Sequence, residues 1–60
     1  MKLVSASNMK TAIKNIKAAG WEHIMTLMAD SETSEEFGLL FEKNGIEFWL
    51  NYKTIDRIPA

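Results

Sequence analysis

The stretch from Phe37 to Tyr52, FGLLFEKNGIEFWLNY, constrains the fold more than any other part of this chain. Two runs with alternating apolar residues flank an Asn-Gly pair at positions 44 and 45, which is the strongest short-range signal of a β-hairpin. Asn and Gly both tolerate positive φ, so the pair predicts a two-residue type I′ turn. The chain is therefore expected to fold around two antiparallel strands.

A two-residue turn also fixes which residues of the two strands face each other. The register pairs Lys43 with Ile46. Each residue further from the turn on one strand then faces the residue equally far from the turn on the other, as far as Phe37 and Tyr52. One face of the hairpin then carries a continuous apolar set, namely Phe37, Leu39, Phe41, Ile46, Phe48, Leu50 and Tyr52. A lone hairpin is at best marginal in water, so another part of the chain must cover this face.

The opposite face of the hairpin combines apolar and acidic side chains, in the pairs Leu40–Trp49, Glu42–Glu47 and Gly38–Asn51. A Leu–Trp pair beside two carboxylates is typical of an acid-rimmed apolar binding surface. The same tryptophan also fits a structural role, in which its ring covers the missing side chain of Gly38. The sequence leaves both interpretations open.

The length of 60 residues allows one domain, 1–60, with 47% hydrophobic and 25% charged residues, which is an ordinary globular composition. A domain of this size hides only about 60% of the surface of its unfolded chain. The chain has no Cys and one His, so neither disulfides nor a Cys/His zinc site is expected to reinforce the fold. Oligomerisation is the remaining route to stability, and it raises the expectation of a homodimer.

The first ten residues, MKLVSASNMK, contain no apolar run of signal-peptide length. No run elsewhere approaches the roughly 18 apolar residues that cross a bilayer. We therefore expect a cytoplasmic protein that does not act in a membrane.

An amphipathic helix is predicted over residues 8 to 19. Apolar residues recur at helical spacing, at Met9, Ala12, Ile13, Ile16 and Ala19. Ser5, Ser7 and Asn8 each suit an N-cap, and Gly20 suits the left-handed position that ends a helix. Ahead of the helix, residues 1 to 4 are compatible with a short extra strand.

Three lysines, Lys10, Lys14 and Lys17, lie along one flank of this helix. Such a stripe can contact phosphates, and with Trp21 nearby it has the charge and aromatic character of single-strand nucleic-acid binding. Lysines on a short amphipathic helix also commonly form a solvated face. The slightly acidic chain, with a net charge of −1, makes nucleic acid the less favoured partner.

Residues 21 to 29, WEHIMTLMA, fit either a helix or a strand. A strand is favoured because a helix starting directly after Gly20 would have no polar N-cap, and because the hairpin needs a neighbour. In a regular strand the odd-numbered residues would face the core. Ile24 and Met28 would then lie on the opposite face, beside Leu40 and Trp49.

The polar segment 30–36, DSETSEE, is expected to be a connection. It lacks the Gly and the final Glu of an EF-hand calcium loop, so no metal is predicted. A helix over residues 34 to 43 is an alternative, although alternation and the Asn-Gly spacing favour a strand. After Tyr52, the chain is expected to form a short extension or single turn docked by Ile55 and Ile58, with Pro59 discouraging further pairing.

No residue pattern in the chain predicts catalysis. His23 is the sole histidine, and the three glycines are isolated, so neither a general-base constellation nor a phosphate-binding loop is indicated. No cofactor and no small-molecule substrate is expected, since a chain this short could hardly enclose one.

These observations predict an α+β domain in which one helix covers a three-stranded antiparallel sheet built from residues 21–29, 36–43 and 46–53, with residues 1–4 as an optional fourth strand. We expect a non-enzymatic interaction module that binds a protein partner or a second copy, a small regulator or inhibitor of the kind phages and mobile elements encode. The expected partner-binding residues are Ile24, Met28, Leu40, Glu42, Glu47 and Trp49. The alternative is a small nucleic-acid-binding regulator that uses Lys10, Lys14 and Lys17.

Overall fold

A computed structural model of the chain describes residues 3–28, 31 and 36–59. In chain order, the elements of this part are β1 (Leu3–Val4), α1 (Met9–Ala18), β2 (Glu22–Leu27), β3 (Gly38–Lys43), β4 (Ile46–Leu50) and β5 (Ile58–Pro59). β2, β3 and β4 form one antiparallel sheet in that order, and β1 pairs with β5. The predicted α+β class, with one helix and a three-stranded antiparallel sheet, is confirmed.

Both ends of α1 are set by the residues that the sequence suggests. The side chain of Asn8 accepts a hydrogen bond from the Thr11 N–H at 2.9 Å, which makes Asn8 the N-cap. Gly20 follows the helix with φ of 95°, and the Trp21 N–H donates to the Ile16 carbonyl at 3.3 Å. This is the bond of a Schellman motif, which reverses the chain directly into β2.

The hairpin forms as predicted around Asn44 and Gly45, whose φ values are 53° and 80°. Its ladder runs from the Lys43–Ile46 pair to the Leu39–Leu50 pair, in the expected register. The helix considered over residues 34 to 43 is wrong for 38–43, while residues 34 and 35 lie outside the described part. The second strand is shorter than 46–53 because the chain turns after Leu50, where the Thr54 N–H bonds the Asn51 carbonyl at 3.0 Å.

Residues 22 to 27 form the third strand, but not with regular alternation. His23 pairs with Phe41 and Met25 pairs with Leu40, so Ile24 is an unpaired extra residue, a β-bulge. The bulge shifts the strand by one residue, and such a shift exchanges the two faces. The expectation that Met25 and Leu27 face the core is therefore wrong, since they pair with Leu40 and Gly38 on the opposite face.

The core lies between α1 and one face of the sheet. Its buried residues are Met9, Ala12, Ile16, Trp21, Leu39, Phe41, Leu50 and Ile58. Of the apolar face predicted for the hairpin, Phe37, Phe48 and Tyr52 are half-buried, whereas Ile46 beside the turn is 52% exposed. The helix covers the central part of this face and leaves its turn end open.

The chain ends pair with each other rather than with the main sheet. Val4 pairs with Ile58, which is fully buried, and Leu3 pairs with Pro59. The expected docking of Ile55 and Ile58 is confirmed, since Ile55 packs against the core. The prediction of a fourth strand in the main sheet is wrong, because Leu3 and Val4 pair with β5 instead. The prediction that Pro59 discourages pairing is also wrong, because a two-residue ladder needs few backbone donors.

Candidate functional site

The three-stranded sheet has an inner face, which α1 covers, and an outer face on its other side. The inner face packs against α1 through Leu39, Phe41 and Leu50. The outer face is the opposite one, and the register assigns to it Glu22, Met25, Leu27, Gly38, Leu40, Glu42, Glu47 and Trp49. Met25, Leu27 and Trp49 are 41–45% exposed, so no described helix or strand covers the outer face.

From His23 to Leu27, the paired residues of β2 have inverted polarity, with the polar ones towards the inner face and the apolar ones towards the outer one. His23 and Thr26 pair with Phe41 and Leu39 on the inner face. The His23 Nε2 and Thr26 Oγ1 atoms lie 2.7 Å apart, and the two side chains share this face because the bulge separates them. Met25 and Leu27 consequently point away from the core of their own domain.

The centre of the outer face is an apolar row of Met25, Leu40 and Trp49, which lie side by side on the three strands. Leu40, on the central strand, is only 7% exposed although it is not part of the core cluster. The flanking Met25 and Trp49 are 43% and 41% exposed. The row is thus an apolar surface with one buried residue in its middle.

Trp49 also has the structural contact that the sequence suggested as an alternative. A Cβ atom added to Gly38 would lie 3.4 Å from the Trp49 Cε3 atom, so the indole ring covers the glycine. The same ring keeps 41% of its surface exposed. Covering Gly38 therefore occupies part of the indole and leaves the rest accessible.

A glutamate row of Glu22, Glu42 and Glu47 lies beside the apolar row, at the end of the sheet that carries the β3–β4 turn. All three residues are exposed, and adjacent strands lie about 4.8 Å apart. Lys43 is the sole Lys or Arg of the three strands, and its Nζ donates to the Ala19 carbonyl at 2.6 Å, at the end of α1. That lysine serves the helix terminus rather than the glutamate row.

The structure brings together four of the six residues predicted to bind a partner, namely Leu40, Glu42, Glu47 and Trp49. Ile24 is the bulge residue and is 46% exposed, and Met28 follows the end of β2 and is 77% exposed. Sequence reasoning missed Glu22, Met25 and Leu27, because their position depends on the bulge. The binding role of the whole set stays a prediction.

The lysine stripe of Lys10, Lys14 and Lys17 is exposed on α1, in the layer opposite the outer face. Trp21 was expected to add an aromatic surface to this stripe. That expectation is wrong, since Trp21 is 5% exposed and meets Phe48 edge to face, with ring centroids 6.4 Å apart. The stripe therefore offers charge without a stacking platform.

Within residues 3–28, 31 and 36–59 there is no pocket and no group of three His, Cys, Asp or Glu residues that could hold a metal ion. The described part of the chain contains no helix with the length and apolar character of a membrane span. No family model, curated protein or solved structure matches the chain.

Proposed function

We propose that this chain is a non-enzymatic protein-interaction domain that binds a partner protein through its outer face. The inverted polarity of β2 is the observation that supports this proposal. A strand that serves only its own domain places apolar residues against the core and polar residues towards water. β2 does the reverse with Met25 and Leu27, so its apolar side chains gain burial only if something else covers them.

The contiguity of the apolar surface is consistent with a binding site. Met25, Leu27 and Trp49 are adjacent around Leu40, and Ile24 adds further exposed apolar area at the bulge. Large contiguous exposed apolar patches are uncommon on monomeric proteins and often mark interaction sites. Trp is also enriched among the residues that dominate binding energy. A small regulator or inhibitor is the class that we favour.

Two substitutions test this function. Trp49→Ala and Met25→Ala remove exposed apolar area from the outer face, and Leu3→Ala is the matched control, because Leu3 is 55% exposed and lies in β1. The tagged variants would be compared with the parent chain in capture of a partner from the source cells. We expect both outer-face variants, but not the control, to lose at least about tenfold in affinity for the captured protein.

Circular dichroism and thermal unfolding would show that the variants remain folded. Equal capture by the parent, Trp49→Ala and Met25→Ala would contradict the proposal. Sedimentation over a concentration series separates a partner from a second copy, since self-association through this face would raise the apparent mass of the parent and not that of Trp49→Ala.

A further inference from the structure

The glutamate row places three carboxylates in register on adjacent strands. Glu22 pairs with Glu42, and Glu42 pairs with Glu47. Like charges directly opposite each other across strands are destabilising. Because Lys43 is engaged by the Ala19 carbonyl, no Lys or Arg on the three strands offsets this repulsion. The isolated domain therefore carries an electrostatic cost on its outer face.

The position of this row ties it to the apolar row. Residues on one face of a strand repeat every two positions, about 7 Å apart. A partner segment that covers Met25, Leu40 and Trp49 therefore also lies against the glutamates and removes water from them. Carboxylates that lose water without gaining a cation carry a large penalty. The partner must supply positive charge beside its apolar side chains.

A second copy of this chain does not meet that requirement through its own outer face, and its lysine stripe lies on a helix whose apolar side is buried in its own core. In a two-fold pairing of outer faces, either the two glutamate rows meet, or each row lies over the opposite end of the other copy. That opposite end holds Leu27 and Gly38 and has no base on the strands. The phosphates of nucleic acid would add like charge to the same row.

Resting on the proposed function, we infer that the outer face binds a basic amphipathic helix of another protein. A helix is the appropriate element because α1, with ten residues, covers the opposite face of the same sheet. The apolar stripe of the partner helix contacts the apolar row, and Lys or Arg residues on its flank contact Glu22, Glu42 and Glu47. Binding offsets the repulsion that these glutamates impose on the free domain.

Two synthetic helical peptides test this inference. Each has about 14 residues, long enough to span about 21 Å, and the same leucine stripe. One carries lysine and the other glutamate at every remaining position. The readout is the indole N–H signal of Trp49 in NMR spectra, with the buried Trp21 as internal reference. We expect the lysine peptide to shift the Trp49 signal and to bind at least about tenfold more tightly than the glutamate peptide.

Single-charge variants supply the matched control. Glu42→Gln removes one charge from the centre of the row, whereas Asp56→Asn removes one charge from an exposed residue of the turn segment between β4 and β5. We expect Glu42→Gln to weaken binding of the lysine peptide several-fold and Asp56→Asn to leave it unchanged. Equal weakening by both would show attraction to net charge only and would overturn the inference.

Two further outcomes separate this inference from the proposed function. If both peptides shift the Trp49 signal with equal affinity, the face binds apolar segments without regard to charge, and the inference fails while the proposed function stands. A Trp49 shift that follows the concentration of the protein itself would identify a second copy and also overturn the inference. If neither peptide nor a second copy moves that signal, the inference fails, and the capture experiment decides the proposed function separately.

Discussion

Two neighbouring residues on β3, Leu40 and Phe41, are both buried, but for different reasons. Phe41 is fully buried on the inner face, within the cluster that includes Ile16 and Leu50. Leu40 is 7% exposed on the outer face, where its cover is the sheet itself, with Met25 and Trp49 on the flanking strands. Burial of a residue therefore does not show whether a second layer lies above it. The inner face stabilises the fold, and the outer face keeps its apolar area available.

Matched leucine truncations give the largest contrast between the faces. Leu50→Ala opens a cavity under α1 and is expected to cost about 4 kcal/mol, whereas Leu40→Ala, on a face that water can reach, is expected to cost about 2 kcal/mol. Urea unfolding followed by circular dichroism measures both. A domain of 60 residues has a total stability of only about 3 to 9 kcal/mol, so the first loss is a large part of it. Equal losses would mean that the outer face is packed as firmly as the inner one.

Lys43→Met tests whether the turn end of the hairpin is tied to the helix on the inner face. Its Nζ lies 2.6 Å from the Ala19 carbonyl and is half-buried. Lys43→Met keeps the aliphatic chain but removes the hydrogen bond and the cation at the helix C-terminus, and is expected to cost about 1 kcal/mol. Lys14→Met, on the exposed side of α1, is the control and should change thermal stability little. A neutral Lys43→Met would show that this hydrogen bond and charge contribute no net stability.

Glu42→Gln tests whether repulsion within the glutamate row destabilises the domain. It removes two like-charge pairs, with Glu22 and with Glu47, and is expected to raise the free energy of unfolding by about 0.5 kcal/mol at low salt. Glu47→Gln removes only one pair and should give a smaller gain. Urea unfolding at low and high salt checks both, since the gain should shrink as salt screens the charges. A loss of stability in Glu42→Gln would show that the row is not repulsive.

A similarly small effect is expected from the contact between Trp49 and Gly38. Gly38→Ala replaces a flexible residue within a strand and places its Cβ 3.4 Å from the indole, a contact distance that needs little movement, so stability should rise by about 0.5 kcal/mol. If Trp49 serves mainly to cover the glycine, Trp49→Ala should cost less in the Gly38→Ala background. A double-mutant cycle by urea unfolding measures this coupling. Coupling near zero would leave the exposed indole without a structural role at Gly38.

Local chemistry determined much of this molecule. Asn44 and Gly45 adopt positive φ because their side chains permit it, and this fixed the hairpin register and the Leu40–Trp49 and Glu42–Glu47 pairs. Helical spacing of apolar residues, with Asn8 and Gly20 at the two ends, determined α1. Each of these features depends on residues close together in the sequence, and for that reason the sequence could predict them.

The tertiary structure alone decided the rest of the site. The bulge at Ile24 depends on how β2 meets β3, and it moved Met25 and Leu27 to the outer face, against the alternation of the sequence. Pairing of β1 with β5 joins the two ends of the chain. Both features depend on hydrogen bonds and packing between segments distant in the sequence. The periodicity of one segment does not reveal those contacts, because a bulge exchanges the faces of the residues that follow it in the strand without any change in amino-acid composition.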